Sequence, residues 1–388
     1  MKFYIKTFGC RVNIAESDEL ADRLEKKHEL VPISQAEVVI VRSCSVTGRA
    51  ESDVKQAVRS YKRQGKTVYV LGCFLEKILE TDSYFTNDAA LIRHINQHFE
   101  SVPNIGETTR DYRLRSFIKI QTGCDFECSF CVTRLIRGKS KSVPPAKIIQ
   151  TIKGKEALGI KEIVLTGINI LLYKNIVGLI QKILKETSIP RIRFGSIDPR
   201  LVNDKFINLF EDDRLMPHLH FSIQSGSEKI LEKMSRPVKI KKIENIVSKL
   251  RNIDPLFNIS ADIIVGFPGE ENSDFQKTIA LAKKLKLSKI HYFPYSSRPR
   301  TPAAALLPIK SIIMKKRLDE IKKLDITLQN AAKNKILGKT LTVFFECGKN
   351  HVYYGYAPNF VRIKSRSKNY LTGEIKKIII KKNNIINV

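Results

Sequence analysis

The residues of this sequence best suited to chemistry are three cysteines in the stretch CDFECSFC, at Cys124, Cys128 and Cys131. Three thiolates at a C-x3-C-x2-C spacing can bind three corners of a cubane cluster, because soft sulfur ligands suit iron–sulfur chemistry. Three ligands for four irons leave one iron free to bind a small molecule. Structural zinc is the alternative, but zinc requires four ligands, and neither Cys347 nor a histidine lies at a zinc-like spacing.

Three further cysteines each follow a strand-like run: FYIKTFGC ends at Cys10, EVVIVRSC at Cys44 and TVYVLGC at Cys73. In a reducing compartment, cysteines at structured spacings indicate metal binding or catalysis rather than disulfides. Ligands of parallel sheets sit at the carboxyl ends of the strands, so these three cysteines can converge on one edge of a sheet. The alternative is that they are buried strand-end residues, since a free cysteine is often buried.

The elements that must position these cysteines begin with strands alternating with the helical runs AESDELADRLEKKH and GRAESDVKQAVRSYKRQ, a pattern typical of a parallel sheet. We expect Glu16 and Ser17 to lie in the opening turn of the first helix. A linker containing Pro103, Asn104 and Gly106 ends this predicted N-terminal α/β domain, residues 1–105.

Residues 109–332 contain six strand candidates that alternate with helical segments. They are FIKIQTG, EIVLTGI, RIRFGSI, HLHFSIQ, NISADIIVGF and KIHYFPYS. Six units are too few for a closed eight-fold barrel, so we predict an open, partial (β/α)6 barrel whose mouth accepts a large substrate. A connecting helix ends near Gly338, and short alternating strands in residues 336–388 predict a small C-terminal β-barrel.

The 388-residue chain is strongly basic, with 68 Lys and Arg against 39 Asp and Glu, a net charge of +29. This excess favours a polyanionic partner, with nucleic acid first, although an AT-rich coding bias toward Lys, Ile and Asn is an alternative cause. The basic residues are concentrated near the end, where 361–388 hold eight Lys or Arg and a single acid, Glu374. No apolar run reaches the roughly 18 residues of a membrane span. The N-terminus shows no signal-peptide pattern, so we expect a cytoplasmic protein without a membrane partner.

The cysteine motif after the first barrel strand resembles that of the radical SAM superfamily. Other segments resemble, in the same order, the methylthiotransferases of that superfamily, and the closing segment resembles their TRAM domain, a small RNA-binding barrel. The segments are TFGCRVN, VRSCSVT, LGCF, TGCDFECSFC, IRGKSKS, EIVLTGIN, HLHFSIQSGSEKILEKMSR, DIIVGFPGE and FPYSSRPRTPAA. The resemblance covers nearly the whole chain.

The resemblance implies two [4Fe–4S] clusters. One, on Cys124, Cys128 and Cys131, would chelate S-adenosylmethionine (SAM) through its free iron and generate a 5′-deoxyadenosyl radical. The other, on Cys10, Cys44 and Cys73, would carry the sulfur to be inserted. One SAM molecule would methylate that sulfur and another would supply the radical.

Five further residues are predicted to contact the cosubstrate. Thr166, Gly167 and Asn169 match the family's contacts after the second barrel strand, although an ordinary strand-to-helix turn is the alternative there. Gln224 and Ser225 end the fourth strand and are expected to face the mouth. Asp262, within the fifth strand, is a candidate structural residue.

Basic and aromatic residues near the mouth and in the terminal domain are candidate RNA contacts, with a solvated surface or a core position as the alternative. They are Arg134, Arg137, Lys139, Lys141, Tyr295, Arg298, Arg300, Tyr356, Phe360, Arg362, Lys364 and Arg366. Cys347 matches no cluster position and is expected in the core.

Two departures from the family pattern are visible. Arg300 stands where the family has glycine in R-P-G-T-P, and the two expectations for it are a different turn or an added contact with nucleic acid. The segment after Asn169 is short, which leaves the contacts of the family's usual loop in question.

The segment FPYSSRPRTPAA, the short N-terminal domain and the basic charge favour a methylthiotransferase acting at C2 of N6-threonylcarbamoyladenosine 37 in tRNA. The alternatives are enzymes acting on N6-isopentenyladenosine 37 or on a ribosomal-protein aspartate, and, in another class, a non-catalytic iron–sulfur RNA-binding protein. The expected partners are a tRNA anticodon loop, where a base can be splayed out at low cost, an electron donor and a sulfur donor.

Overall fold

The structure is a computed structural model that describes residues 1–74, 81–100 and 114–386. The predicted linker residues Pro103, Asn104 and Gly106, and the predicted domain boundaries near residues 105 and 109, lie outside the described residues.

The N-terminal strands form a five-stranded parallel sheet in the order β2-β1-β3-β4-β5. The apolar run Val38–Val41 of the central strand is fully buried, because helices cover both faces of a parallel sheet. The elements are β1 Lys2–Thr7, α1 Arg11–Leu24, β2 Glu29–Leu30, β3 Val38–Ser43, α2 Gly48–Arg63, β4 Thr67–Gly72, β5 Ser83–Phe85 and α3 Asp88–His98.

Helix α1 begins earlier than the sequence predicts. Its first residue is Arg11, directly after Cys10, so Glu16 and Ser17 lie in mid-helix and not in the opening turn. Both are buried, because the Arg42 guanidinium at the end of β3 donates to Glu16 Oε2 at 3.2 Å and to Ser17 Oγ at 3.1 Å. The polar side chains of Glu16 and Ser17 therefore bind Arg42 on β3. In the sequence, their polarity resembled a helix-capping signal.

The six predicted barrel strands form in sequence order, and neighbouring strands are parallel. The third strand is broken at Gly195, which divides the hydrogen bonding into sheets β10-β9-β6 and β11-β12-β13-β14. The strands are β6 Arg115–Lys119, β9 Glu162–Thr166, β10 Arg191–Phe194 with β11 Ser196–Ile197, β12 His218–Gln224, β13 Asn258–Val265 and β14 Lys289–Pro294. The short strands β7 Gln121–Thr122 and β8 Lys141–Ser142 pair outside the barrel.

Six of the described helices pack their apolar faces onto these strands and enclose an Ile-, Leu- and Phe-rich core. They are α5 Pro145–Ala157, α6 Ile176–Glu186, α7 Asp204–Asn208, α9 Ile240–Ile253, α10 Asn272–Lys284 and α11 Ser311–Asn334. Helix α4 Thr133–Arg137 has no buried residue, and α8 Glu228–Lys233 packs in a smaller cluster with Phe267. Among the described residues, none of the helices is both long and apolar enough to cross a membrane.

The N-terminal domain lies across the seam between the first and last barrel strands. On the β6 side, Lys119 pairs with Glu16 of α1 at 3.3 Å. On the β14 side, Ser296 Oγ accepts from Gly48 N at 3.2 Å, and buried Arg298 pairs with Glu51 of α2. The partial barrel thus leaves an opening that the adjacent domain covers.

The terminal strands form a four-stranded antiparallel sheet in the order β17-β16-β15-β18, which is consistent with the predicted small β domain. The sheet docks at the amino-terminal ends of the barrel strands, where Arg191 donates to Tyr356 O at 3.1 Å and Arg193 to Pro358 O at 2.9 Å. It therefore does not cap the mouth, as a basic cap over an open barrel would. The strands are β15 Thr340–Lys349, β16 Val352–Tyr356, β17 Arg362–Arg366 and β18 Ile375–Ile379.

Candidate functional site

The three strand-end cysteines converge at the carboxyl edge of the N-terminal sheet. Cys10 precedes α1, Cys44 follows β3 and Cys73 follows β4. Gly9 permits the approach: its φ is +89°, and a Cβ there would lie 2.6 Å from Cys44 Sγ. Burial, together with the nearby thiols of Cys10 and Cys73, raises the pKa of Cys44 to about 11. The three thiols therefore lie at one edge of the sheet and influence one another electrostatically.

Cys73 is held from both its backbone and its side chain. The hydroxyls of Ser43 and Ser45 donate to Cys73 O at 2.9 and 3.0 Å, which ties the end of β4 to the end of β3. Cys73 Sγ accepts from Arg137 Nε at 3.1 Å. Burial raises the pKa of Cys73, whereas the charge and hydrogen bond of Arg137 act in the opposite direction.

Arg137 joins the barrel to this cysteine edge, which corrects its prediction as a phosphate contact. Its guanidinium donates to Glu16 at 2.9 and 3.1 Å and to Asn13 Oδ1 at 2.7 Å. Asn13 Nδ2 in turn donates to the carbonyls of Phe8 at 2.7 Å and Ser43 at 2.8 Å. Arg137 is therefore occupied by the N-terminal domain.

Of the other cations predicted beside the cysteine loop, Arg134 pairs with Glu127, an exposed partner. Lys139 and Lys141 are exposed, as a nucleic-acid contact requires.

The cysteines of the C-x3-C-x2-C motif lie on the loop after β6 and β7. The loop is closed by Cys131 N donating to Cys128 O at 3.0 Å and by Cys124 N donating to Gly138 O at 3.0 Å. Burial raises the pKa values of Cys124 and Cys131, and the thiol of Cys128 raises both further. Bound metal would therefore displace protons from these thiols.

Sequence reasoning did not assign the polar residues around Cys128. Arg236 Nη1 lies 3.4 Å from Cys128 Sγ and Arg200 Nη2 lies 3.9 Å from it. Asp198 pairs with both arginines, at 3.1 and 2.7 Å. The available signal was the pair of motifs SIDPR and KMSR, whose arginines only the fold brings together.

The predicted cosubstrate residues after β9 line up beside the cysteine loop. Gln121 connects the two: its Oε1 accepts from Asn169 N at 3.0 Å, and its Nε2 donates to Gly123 O at 2.7 Å. A Cβ on Gly167 would lie 2.8 Å from Gln121 Oε1, so only glycine allows this approach. Asn169 Oδ1 is buried and has no hydrogen-bond partner in the described structure, which leaves an acceptor for a ligand, while Thr166 is buried at the end of β9.

The two predicted residues at the end of β12 differ from each other. Gln224 is half-buried and has a φ of +72°, a conformation that costs a non-glycine residue free energy and that is concentrated at functional sites. Ser225 is fully buried; its Oγ accepts from Ser227 N at 3.1 Å and lies 3.4 Å from Thr278 Oγ1. The Ser225 hydroxyl therefore stabilises the turn and does not face the mouth. Asp262 pairs with His220 at 3.0 Å.

The three candidate RNA contacts after β14 differ in their exposure to solvent. Arg298 is buried against Glu51, and half-buried Tyr295 packs on Phe267 with ring centroids 5.4 Å apart, so neither presents an RNA contact. Arg300 is exposed, and its φ of +65° is the left-handed conformation that the family's glycine would favour. Arg300 therefore occupies a backbone conformation that favours glycine. In the short segment after Asn169, residues 170–172 form a 3-10 turn.

Comparing Arg300→Gly with Arg300→Ala tests whether the positive φ at this position strains the backbone. Both changes remove the side chain, but only glycine adopts a positive φ without a steric cost of about 1 kcal/mol. We expect the glycine variant to have the larger free energy of unfolding by about that amount in urea. An alanine variant of equal or greater stability would contradict the assignment.

The terminal domain corrects the prediction for two aromatics. Phe360 stacks on His218 and on Tyr356, with centroids 4.7 Å apart in each pair, and Arg193 lies 4.8 Å from its centroid. Tyr356 and Phe360 therefore fill the amino-terminal end of the barrel. Cys347, expected in the core, is exposed on β15.

A different aromatic, half-buried Tyr354, lies beside the predicted cations of the terminal sheet. Tyr354 is paired with Lys364 across β16 and β17, and Val352 with Arg366. These side chains line a groove of about 490 Å³ together with Asn383 and Asn384. The groove combines cations with an aromatic, as single-stranded RNA sites do.

The comparisons agree with this geometry. The family model of the radical SAM superfamily matches residues 118–282, and that of the "Uncharacterized protein family UPF0004" matches residues 2–89. Among solved structures, the radical SAM methyltransferase TsrM from Kitasatospora setae superposes with a TM-score of 0.56 over 78% of this chain and 76% of that one, at 12% identity. The partial barrel with cysteines after its first strand is therefore the fold of a radical SAM enzyme.

A Thermotoga maritima threonylcarbamoyladenosine tRNA methylthiotransferase is 36% identical over 88% of this chain and 86% of its own length. An Aquifex aeolicus protein of the same name is 32% identical over 88% and 92%. A tRNA-2-methylthio-N(6)-dimethylallyladenosine synthase from Orientia tsutsugamushi is 29% identical over 88% and 87%. The chain belongs to the radical SAM methylthiotransferase family and is a transferase.

Membership of the superfamily implies SAM and a [4Fe–4S] cluster, and the residues present fit both. Three thiols lie together on one loop, and Arg200 and Arg236 beside Cys128 would offset the negative charge of a thiolate-bound cluster. Asn169 Oδ1 supplies a buried acceptor, unpaired among the described residues, for the cosubstrate.

Proposed function

We propose that this protein is a tRNA methylthiotransferase that inserts a methylthio group at C2 of N6-threonylcarbamoyladenosine 37. The observation that supports the substrate is the similarity to the Thermotoga maritima enzyme of that name, at 36% identity over 88% of the chain. The dimethylallyladenosine enzyme, at 29% identity, makes N6-isopentenyladenosine 37 the second candidate. A tRNA substrate would place the protein in the cytoplasm.

The proposal assigns a site to each cysteine set. Cys124, Cys128 and Cys131 would hold the cluster that supplies an electron for radical formation from SAM, while Gly167, Asn169 and Gln224 would orient the cosubstrate. Cys10, Cys44 and Cys73 would hold a second [4Fe–4S] cluster. The enzyme would receive the inserted sulfur from a sulfur donor and its electrons from a separate electron donor.

Helix α4 places the two sets at opposite ends of one short element. At its start, Thr133 N donates to Cys131 Sγ at 3.4 Å, and at its end Arg137 Nε donates to Cys73 Sγ at 3.1 Å. A helix of five residues is about 7.5 Å long, so this helix and the Arg137 side chain separate the two sets.

Nucleoside analysis tests the proposed substrate. Deletion of the gene should remove the methylthio form of threonylcarbamoyladenosine from digested tRNA, measured by mass spectrometry. The methylthio form of isopentenyladenosine should stay unchanged. Complementation with the intact gene should restore the methylthio form of threonylcarbamoyladenosine. Loss of only the methylthio form of isopentenyladenosine would instead support the second candidate.

The exposed face of the terminal sheet should contribute to tRNA affinity. Replacing both Lys364 and Arg366 with alanine removes two cations from the groove beside Tyr354. We expect weaker tRNA binding and a slope of log K against log salt that is smaller by about 1 for each lost phosphate contact. Exposed Lys322 and Lys323 on α11, changed together to alanine, provide the matched control. Equal losses in both pairs would contradict a specific role for the groove.

A further inference from the structure

A cationic cavity lies at the amino-terminal end of the barrel, beside the terminal domain and away from the cysteine loop. Its volume is about 290 Å³, at the small end of ligand sites. Its walls come from α1, three barrel strands, α11 and the terminal domain. They include Arg11, His218, His220, His291, Lys333 and Arg362, and among the described residues no Asp or Glu lines it.

Lys333 is the residue that most needs a ligand. Lys333 is 8% exposed, and its Nζ has no hydrogen-bond partner within the described residues. The neighbouring cation Lys289 is satisfied, because its Nζ pairs with Asp325 at 2.9 Å. A buried ammonium without a hydrogen-bond partner costs free energy. Burial and the charge of Lys289 lower the pKa of Lys333, and the charge of Asp325 acts in the opposite direction. An anion in the cavity would remove that cost.

The histidines on the barrel wall supply hydrogen-bonding groups without added charge. His218 Nε2 and His220 Nδ1 lie 3.0 and 2.8 Å from Ser260 Oγ, which fixes both rings. Burial lowers the pKa of His218 far below its usual value, and burial followed by the charge of His220 lowers that of His291 to about 4. His218 and His291 are therefore neutral at pH 7.

A metal ion is the competing occupant, because ligand atoms of His220, Asp262 and His291 lie within 4.8 Å of one another. The single carboxylate of this group is already paired with His220 Nε2 at 3.0 Å. The cationic side chains of Arg11 and Lys289 line the same cavity. Their charges disfavour a dication and favour an anion.

We propose that this cavity binds a compact oxyanion such as a phosphate group, with Lys333 and Arg362 as its charged ligands. The shared chemistry admits two sources, a free phosphate or a phosphate of bound RNA. None of the six cysteines lines the cavity, although Arg11 directly follows Cys10. Its walls include the terminal domain, so an anion bound there would couple the docking of that domain to its occupation.

Titration of the reconstituted full-length protein with inorganic phosphate tests the proposal. Calorimetry at constant ionic strength should give saturable binding to the wild type, and Lys333→Met should weaken it at least tenfold. Lys322→Met, on the exposed face of the same helix, should bind phosphate as the wild type does. Arg362→Met, an exposed position on the opposite wall, gives a second variant that does not rest on the packing around Lys333.

Equal phosphate affinity in the wild type, Lys333→Met and Arg362→Met would overturn the proposal, as would saturable zinc binding without phosphate binding. Since Lys333 has no described partner, Lys333→Met should also unfold at the same temperature as the wild type, or higher, when phosphate is absent. A phosphate affinity reduced by saturating tRNA would identify the RNA backbone as the source. An unchanged affinity would identify a free anion.

Discussion

Replacing Cys73 with alanine is expected to abolish methylthiolation and to lower the iron content from about eight to about four per chain. Cys73 is buried beside Cys44 and Cys10, and its Sγ is the atom that Arg137 contacts. Removing one of three ligands should lose the second cluster that we propose there. Cleavage of SAM to 5′-deoxyadenosine should persist, because the motif cysteines stay in place.

Iron analysis, SAM cleavage and tRNA nucleoside analysis should be carried out on the same preparation. Cys347→Ala is the matched control, since Cys347 is an exposed cysteine on β15 outside both sets. Cys128→Ala should also lose half of the iron, but unlike Cys73→Ala it should lose SAM cleavage as well. A Cys73→Ala protein with full iron and full activity would refute the second cluster.

Replacing Arg137 with methionine is expected to destabilise the protein by about 1–3 kcal/mol. Arg137 and Glu16 have side chains only 10% and 11% exposed, so the change would leave a nearly buried carboxylate with only Arg42 and Lys119 as cationic partners. Arg134→Met is the control: its partner Glu127 is 75% exposed, and an exposed pair contributes about 0–1 kcal/mol. Methylthiolation should fall more than SAM cleavage, because Arg137 also contacts Cys73.

The pH dependence of unfolding gives an independent check. Burial would raise the pKa of Glu16, but the hydrogen bonds and charge of Arg137, with the charges of Lys119 and Arg42, lower it to about 2 from its usual 4.5. A depressed carboxyl pKa stabilises the fold fully above pH 4.5, and this contribution is lost as the pH falls toward 2. The stability difference between wild type and Arg137→Met should therefore shrink across that range. A difference that is small at pH 7, or independent of pH, would contradict the buried pair.

The order of the elements followed from the sequence. Apolar strands alternating with amphipathic helices indicated parallel sheets, and six such units indicated a partial barrel, because both patterns are local. The convergence of Cys10, Cys44 and Cys73 was also predictable, since each follows a strand and parallel strands end at one edge. The first turn of α1 was misjudged, because Glu16 and Ser17 are polar for a tertiary reason.

Contacts between residues far apart in the sequence determine which cations face solvent. Arg137 looks like its neighbour Lys139, yet it is buried by Asn13, 124 residues away. Arg298 is likewise buried by Glu51. Tyr356 and Phe360 pack at the end of the barrel, whereas Tyr354 lines a groove of the terminal sheet. Charge and aromaticity are properties of single residues, but burial depends on which distant surfaces meet. Local patterns in the sequence therefore predicted the order of the elements and the meeting of Cys10, Cys44 and Cys73, whereas long-range packing determined which of the remaining side chains are exposed.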